Sequence, residues 1–498
     1  MSTAELIPLL LLLSSLVPGV AVILLDDDRV RLRTTLNLTG AVVKLLLVAV
    51  MLEGTLRQQR YELRFDVLPG LDFLLRGNAL AMLFVTLSAV LWLFTTIYAI
   101  AYLERSPHRS RFFGFFSLCV TTTVGLALAG NLFTFLVFYE GLTLATYPLV
   151  MHRGTAKAAR AGRIYLSYTL TGGAVLMVAI LWLHALAGPV EFGDTAALAA
   201  LGSENHNQLR VIFALLIVGL GVKAALVPLH GWLPVAMVAP APVSALLHAV
   251  AVVKAGAFGI VRVVYDVFGI EFGSQLGVLT PLAVAASATI VYGSLRALNQ
   301  DDLKRRLAFS TVSQVSYIAL GVAIAGPAAT IGGLVHLVHQ GLMKITLFFC
   351  AGSLAETLGI HRVGEMHGVG RRMPLTMTAF TIAALGMIGV PPLAGFISKW
   401  YLGSGALEAN QSWVLVVLVA STVLNAAYFL PILHIAWFRR PVATWLAPRL
   451  AHGWESHVWL LLPLLATAGL TLLVGLLAGA PMSPLSWVRL IVEQAYAP

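Results

Sequence analysis

The fold is decided by the stretch GVKAALVPLHGWLPVAMVAPAPVSALLHAVAVVKAG, residues 221–256. Most of this stretch is apolar, yet it carries Lys223 and Lys254 and has a proline, Pro228, between them. A charged side chain at bilayer depth costs at least ~2.5–3.5 kcal/mol, so such a residue by default marks a functional path through a membrane protein. The stretch therefore predicts two membrane helices that each hold a buried lysine.

The composition of the whole chain is that of a protein that crosses a membrane many times. Of its 498 residues, 59% are hydrophobic and only 11% are charged, and the mean hydropathy is +0.89. A soluble protein of this length would need more charge to cover its surface. The apolar segments are continuous and about 20 residues long, which predicts an all-α polytopic membrane protein and not a barrel.

Hydropathy predicts about 14 transmembrane helices. The first segment carries Glu5 where a signal peptide has a basic region, and it is long enough to span, so we interpret it as a membrane helix. The predicted spans are 6–25, 34–52, 78–103, 112–129, 132–151, 164–187, 211–229, 241–264, 275–298, 307–325, 328–354, 374–402, 412–438 and 457–480.

The net charge of +10 could indicate a nucleic-acid partner, but its distribution argues against one. Twenty of the 32 Lys and Arg residues lie in predicted loops on one side, and seven, including Arg262, lie on the other. By the positive-inside rule the basic side is cytoplasmic. We therefore expect a bacterial-type inner membrane protein with both termini on the outer face. Cys119 and Cys350 lie in apolar segments and predict neither disulfides nor a metal site.

Two of the predicted spans contain proline breaks beside a lysine. Pro228 follows Lys223 in the seventh span, and Pro391 and Pro392 precede Lys399 in the twelfth. Broken helices at corresponding positions in two halves are typical of inverted repeats with a site near the midplane. The alternative is that these prolines only kink their helices.

Glu140 is the only acid deep inside a predicted span. It could be a neutral carboxyl that bonds a neighbouring helix. The functional interpretation is a carboxylate paired with Lys223, where Coulomb attraction at ~4 Å is ~4 kcal/mol for an effective dielectric of ~20. Moving the carboxylate away would then release the lysine proton.

The eighth predicted span adds a histidine to Lys254. His248 and Lys254 are six residues apart, which is about 9 Å along a continuous helix at ~1.5 Å per residue. They cannot form a direct pair on one face, so we expect a proton relay through water. A purely structural histidine is the alternative.

The eleventh predicted span, HLVHQGLMKITLFFCAG, carries a polar stripe. His336 and His339 share one face, and Gln340 and Lys344 lie on or near it. A zinc site would need further ligands, and none is evident. Histidine suits proton transfer near neutral pH. The hydroxyls of the tenth span can support a water chain, but helix–helix hydrogen bonding explains them better.

These segments together resemble a known family. The carrying sequences are FYEGLTLATYPLV (138–150), the stretch 221–256, DDLKRRLAFSTVSQVSYIALG (301–321), HLVHQGLMKITLFFCAGS (336–353) and MIGVPPLAGFISKWY (387–401). The chain resembles the antiporter-like membrane subunits of complex I, membrane-bound hydrogenases and Mrp cation/proton antiporters, and among these the Mrp D-type subunit most.

The resemblance implies an order for the whole chain. Residues 1–105 would hold three helices, 112–264 and 275–438 two inverted five-helix repeats, and 457–480 the last helix, in a single membrane domain. It also implies the functional residues, which are Glu140, Lys223, His248, Lys254, Lys344 and Lys399.

Three departures from the family pattern stand out. Gly141 follows Glu140, where many relatives have a bulkier residue. The common eleventh-helix pattern spaces its histidines by four residues, but here Gln340 takes the second place and His339 precedes it. The lateral helix of the L-type subunit is not expected here.

We expect a subunit that translocates protons, or exchanges a cation such as Na⁺ for protons, within a multi-subunit complex in the lipid bilayer. No flavin, haem or iron–sulfur motif is present, so we expect no cofactor and an energy source in the partners. The alternative is an energy-coupling partner that lets protons drive uptake of a substrate such as inorganic carbon. A scaffold that has lost transport would have lost its buried charges.

Overall fold

The computed structural model describes residues 3–68, 70–441 and 455–495, and helices dominate them. The helices are α1 (Thr3–Ile23), α2 (Val30–Leu56), α3 (Ala79–Tyr102), α4 (Arg109–Leu128), α5 (Leu132–Val150), α6 (Ala156–Ala187), α7 (Ala196–Ala199), α8 (His206–Ala224), α9 (Trp232–Val235), α10 (Ala241–Ala249), α11 (Val252–Arg262), α12 (Ile270–Gln275), α13 (Leu279–Leu298), α14 (Leu303–Ala323), α15 (Pro327–Leu358), α16 (Val369–Arg372), α17 (Pro374–Ile388), α18 (Ala394–Glu408), α19 (Trp413–Phe438), α20 (Val458–Leu476) and α21 (Pro484–Ala495).

Within these described ranges, twelve helical segments are long and apolar enough to cross a membrane. They coincide with twelve of the predicted spans, which confirms a multi-pass helical membrane protein. The other two predicted spans, 307–325 and 374–402, correspond to the polar helix α14 and to the pair α17 and α18, of which each has 15 residues. The count of fourteen crossings and the division into inverted repeats therefore stay predictions.

The centre of the bundle is formed by α10, α11 and α15. The most apolar stretches of the segments Ala241–Phe268 and Pro327–Leu358 are completely buried by other helices. On α14, which packs between α13 and α15, a Cβ at Gly321 would lie 2.6 Å from the Cα of Gly333 on α15. Small residues at this crossing let the two backbones touch, so a helix rich in hydroxyl groups lies against the centre.

Both proline-containing segments interrupt their helices. Helix α8 ends at Ala224, Ala225 adopts a left-handed conformation with φ 59°, and the Val227–Pro228 peptide bond is cis. Helix α17 ends at Ile388 and α18 begins at Ala394, with a cis Pro391–Pro392 bond between them. The first interruption follows the helix that carries Lys223, and the second precedes the helix that carries Lys399.

A third interruption falls where we predicted a continuous span. The predicted helix 241–264 is divided at Val250 and Ala251, so that α10 ends and α11 begins between His248 and Lys254. The N–H of Ala251 bonds the carbonyl of Leu246 at 2.9 Å, a wider turn than an α-helix makes. The prediction that His248 and Lys254 are separated by 9 Å along one continuous helix is therefore wrong.

The fold is also not purely helical, because the polar stretch 53–76 builds a β-hairpin. Strand β1 (Tyr61–Leu68) pairs antiparallel with β2 (Leu71–Gly77), in a register that places Tyr61 opposite Gly77. Near its start, β1 buries alternate side chains, Tyr61 and Leu63, a period of two that indicates a strand. The hairpin lies on the face that charge distribution predicts to be outer.

Candidate functional site

Most of the predicted site residues lie on α10, α11 and α15, which form the bundle centre, and the others lie on α5, α8 and α18. The side chains of Lys223, Lys254 and Lys344 are completely buried, and so are those of the three histidines His248, His336 and His339. Lys399 is part-buried at the edge of this group. Burial of so many ionisable groups in one protein is costly and indicates function more than stability.

Lys223 is held by Tyr139. Its ammonium donates a hydrogen bond to the Tyr139 carbonyl and lies 3.4 Å from the centroid of the Tyr139 ring. The Tyr139 hydroxyl in turn donates to the Gly219 carbonyl at 2.9 Å, which fixes α5 against α8. Lys223 also lies in the last turn of α8, where the helix dipole favours a cation. These contacts stabilise a protonated lysine.

Glu140 does not form the direct ion pair with Lys223 that we predicted. Among the described residues, no Glu140–Lys223 pair lies within 4.0 Å, although the carboxylate is near enough for a Coulombic interaction. Adjacent residues on a helix point in different directions, so Tyr139 faces the lysine and Glu140 turns towards α6. There the carboxylate lies against Gly173, and its Oε1 atom is buried without a protein hydrogen bond.

Lys254 lies in the first turn of α11, just after the central break. Its ammonium is buried and has no protein hydrogen-bond partner. The two ring nitrogens of His248 also lack protein partners, and the ring packs on Phe348 with centroids 4.6 Å apart. Buried polar groups without protein partners require water or neutralisation, so this is a place where a proton can be held or released.

The polar stripe of α15 lies next to this break. The rings of His336 and His339 are completely buried, and α15 touches the end of α10 here, since a Cβ at Gly341 would lie 3.0 Å from the Ala249 carbonyl. The Nδ1 atom of His336 lies 2.8 Å from Ser398 Oγ, whereas its Nε2 atom and both nitrogens of His339 have no protein partner. The structure therefore places the polar stripe of α15 against α10 and α18.

Lys344, which also lies on α15, contacts α14. Its ammonium donates to Ser310 Oγ at 2.7 Å and to the Leu307 carbonyl at 3.2 Å, both on α14. Ser310 Oγ lies 2.8 Å from the Tyr428 hydroxyl on α19. Sequence reasoning assigned the α14 hydroxyls to helix packing, and one of them here contacts a site lysine.

Lys399 is joined to His336 by the ring of Tyr317. The Lys399 ammonium lies 5.8 Å from the centroid of this ring, and the centroid of the His336 ring lies 5.1 Å from it. Lys399 also donates to the Ile388 carbonyl at 2.7 Å and to Thr422 Oγ1 at 3.0 Å. The Ile388 carbonyl is free to accept because α17 ends there, so the helix interruption supplies a ligand for the lysine.

Among the described residues, three further buried cations lie outside the predicted site, and they are Arg33, Lys44 and Arg262. Arg262, which we placed on the outer side, is a buried residue at the end of α11 with a 2.6 Å ion pair to Asp266. We counted Arg262 with the outer loops although it falls inside the predicted span 241–264, two residues before the end of that span. Lys44 on α2 is completely buried, donates to the Leu11 carbonyl at 2.8 Å and lies 5.4 Å from the Trp92 ring.

No metal centre is evident among residues 3–68, 70–441 and 455–495. Within those ranges no three His, Cys, Asp or Glu side chains are arranged to hold an ion. The arrangement is instead a set of buried lysines, histidines and hydroxyls on α8, α10, α11, α14, α15 and α18. Such a set can pass protons between neighbouring groups and water.

Comparison with known proteins points to one family. Residues 129–425 match the family model described as "NADH:quinone oxidoreductase/Mrp antiporter, TM". The chain is 39% identical to NADH-quinone oxidoreductase subunit N of Desulforudis audaxviator over 361 residues, which cover 71% of each chain. It is 27% identical to the D-type subunit of a Na⁺/H⁺ antiporter of Bacillus subtilis, over 84% of this chain and 82% of that one.

A solved structure agrees with this likeness. A chain in the structure of the Mrp complex from Dietzia sp. DQ12-45-1b superposes with a TM-score of 0.86 at 25% sequence identity. The superposition covers 100% of this chain and 98% of the other. The shared fold extends well beyond the segments that carry the sequence resemblance.

Proposed function

Because this chain belongs to the transmembrane family shared by NADH:quinone oxidoreductases and Mrp antiporters, we propose that it is the subunit that moves protons through such a complex. Its partners are other membrane subunits, and the energy comes from them. Lys254 carries the proposal, because it is a buried lysine without a protein partner beside the break in the central helix.

The first step takes place at Lys223. The carbonyl and ring of Tyr139 stabilise the protonated ammonium, and the charge of Glu140 adds to this stabilisation. A charge on a partner subunit that attracts or displaces the Glu140 carboxylate would weaken the stabilisation of the Lys223 ammonium. Lys223 would then give up its proton towards Lys254.

The second step crosses from α8 to α11. The two helices approach so closely that a Cβ on Gly256 would lie 2.7 Å from the Leu220 carbonyl and collide with the Ala224 amide. Lys254, two residues before this glycine, receives the proton through water. With no protein partner to bind it in the charged state, it passes the proton on to the histidines of α15.

The last step leaves through α18. His336, the Tyr317 ring and Lys399 lie in sequence, and Lys399 opens towards a cavity of about 440 Å³ between α18 and α19. Lys344 with Ser310 forms a second branch from the centre. Every transfer is reversible, so the direction of transport is set by the partners.

The test is proton flux in vesicles that carry the whole complex at equal assembly. We expect Lys223→Ala and Glu140→Ala to abolish most of the flux, because both act on the same ammonium. The matched controls are Arg440→Ala and Glu408→Ala, which remove an exposed charge of the same sign at a helix end. Unchanged flux in both site variants, with intact assembly, would show that the buried charges are structural.

A further inference from the structure

A basic cavity lies away from the proton path, between the beginnings of α6 and α14. It has a volume of about 290 Å³ and is also bordered by the segment 234–238. Lys157 and Arg160 reach it from one face of α6, and Arg305 reaches it from α14. Both helix ends belong to the side that charge distribution predicts to be cytoplasmic.

The charge of this cavity is not balanced by the protein. Among the described residues, the side chains of Lys157, Arg160 and Arg305 form no ion pair and no hydrogen bond. The one acid in the lining, Asp302, is occupied in capping α14, where its Oδ1 accepts from the Arg305 amide at 2.8 Å. The N-termini of both helices add partial positive charge. The cavity is therefore lined by the three cations Lys157, Arg160 and Arg305 and by one carboxylate, which already accepts a hydrogen bond.

The rest of the cavity is apolar and firmly held. Its wall includes Ile164, Pro234 and Met237. The segment that carries the last two is fixed to α14 by the Lys304 ammonium, which donates to the Ala239 carbonyl at 2.5 Å. It is fixed to α6 by an edge contact between Trp232 and Tyr165, with centroids 5.3 Å apart. The cavity is thus preformed.

We propose that this cavity binds the phosphate-bearing headgroup of an anionic phospholipid from the cytoplasmic leaflet. Unpaired cations at the membrane edge attract lipid phosphates, and basic pockets between membrane helices are suited to such headgroups. The apolar wall beside the cations fits the upper part of an acyl chain, which free phosphate lacks. An acidic protein segment would not need that wall.

The experiment measures lipid bound to the purified full-length protein, isolated with the partners that copurify, in nanodiscs containing phosphatidylglycerol and phosphatidylcholine. Native protein is expected to retain phosphatidylglycerol preferentially through delipidation. Arg160→Gln with Arg305→Gln is expected to lower that affinity by about tenfold, since each cation near an anionic surface contributes measurably. The control is Arg439→Gln with Arg440→Gln, two exposed cations on the same predicted side.

The outcomes separate the possible occupants. A loss of phosphatidylglycerol affinity in the Arg160→Gln, Arg305→Gln variant alone supports the proposal. The single variant Lys157→Gln should lose less of this affinity. An equal loss of affinity in the control variant would show that any surface cation attracts the lipid, and it would overturn the proposal. Absence of any lipid preference, or displacement of the lipid by millimolar inorganic phosphate, would also overturn it. None of these outcomes depends on proton flux.

Discussion

At the scale of single residues, the position of the Glu140 carboxylate depends on a glycine. Gly173 on α6 leaves the space that this carboxylate fills, since a Cβ at position 173 would collide with it. The collision is with the far end of a side chain and not with backbone. A substitution there should therefore move the carboxylate without disturbing the packing of α5 against α6.

Gly173→Ala is accordingly expected to lower proton flux severalfold while the protein still folds and assembles. The added methyl group displaces the carboxylate from its position against Gly173, and its Coulomb interaction with Lys223 changes with the distance between them. Flux in vesicles at equal assembly measures the effect. Thermal unfolding of the same preparation should change little.

Gly469→Ala is the matched control, because nothing lies within 4 Å of a Cβ at that position on α20. Alanine is favoured over glycine inside a helix by about 1 kcal/mol, so this variant should be as stable as the native protein or more so. Equal flux from Gly173→Ala and native protein would mean that the carboxylate position does not control the path.

At the scale of helices and strands, sequence reasoning located most elements because each membrane span is a long apolar segment. It also located two interruptions, since proline removes a backbone donor. The interruption between α10 and α11 carries no proline, so no residue at this point of the sequence indicated it. The hairpin was missed because apolar and charged residues alternate along β1, so hydropathy does not distinguish this stretch from a polar loop.

The site was predictable in part for the same reason. Buried lysines stand out in apolar sequence, so Lys223, Lys254 and Lys344 could be named from the chain alone. Their partners could not, because Tyr139 contributes its backbone carbonyl and its ring, and Ser310 is one hydroxyl among many. Every residue has a backbone carbonyl, so a contact made by a carbonyl cannot be predicted from residue types.

The hairpin is tied to the segment that follows α6 by an ion-pair network centred on Glu191. Its carboxylate accepts hydrogen bonds of 2.5 Å from Arg64 and from Arg76. Burial works to raise the pKa of Glu191, but these hydrogen bonds and charges outweigh it and hold the pKa below its ordinary value of 4.5. The network therefore contributes stability above pH 4.5 that is lost as the pH falls through the lowered pKa.

Glu191→Gln should consequently lower thermal stability at pH 7 and have little effect at about pH 3, so that the two curves converge in acid. The expected loss at pH 7 is roughly 1 kcal/mol, because part-exposed ion pairs are screened by solvent. Unfolding midpoints of both proteins across this range of pH measure it. A constant difference at every pH, or the same loss in Glu408→Gln, would show that the network does not couple the hairpin to pH.

At the scale of the whole molecule, the proposed path is a line of buried polar groups inside an apolar shell. In that proposed path, Lys223 comes first, Lys254 at the central break comes next and Lys399 comes last, with Lys344 on a branch. The alternative function, in which protons drive uptake of another substrate by a companion protein, would use the same proposed path. What distinguishes a line from a set of independent sites is that its members act in series.

Series transfer makes a prediction about combined substitutions. Lys254→Met should abolish most of the flux while keeping or raising thermal stability, because a buried ammonium without a protein partner costs more than a methionine of similar size. Combining it with Lys223→Ala should reduce flux no further than the more severe single variant does. Groups that act as one unit are non-additive in this way, whereas independent routes would lose flux multiplicatively. Flux measured for both single variants and the double variant at equal assembly decides between them, and a multiplicative loss would mean that Lys223 and Lys254 serve separate paths.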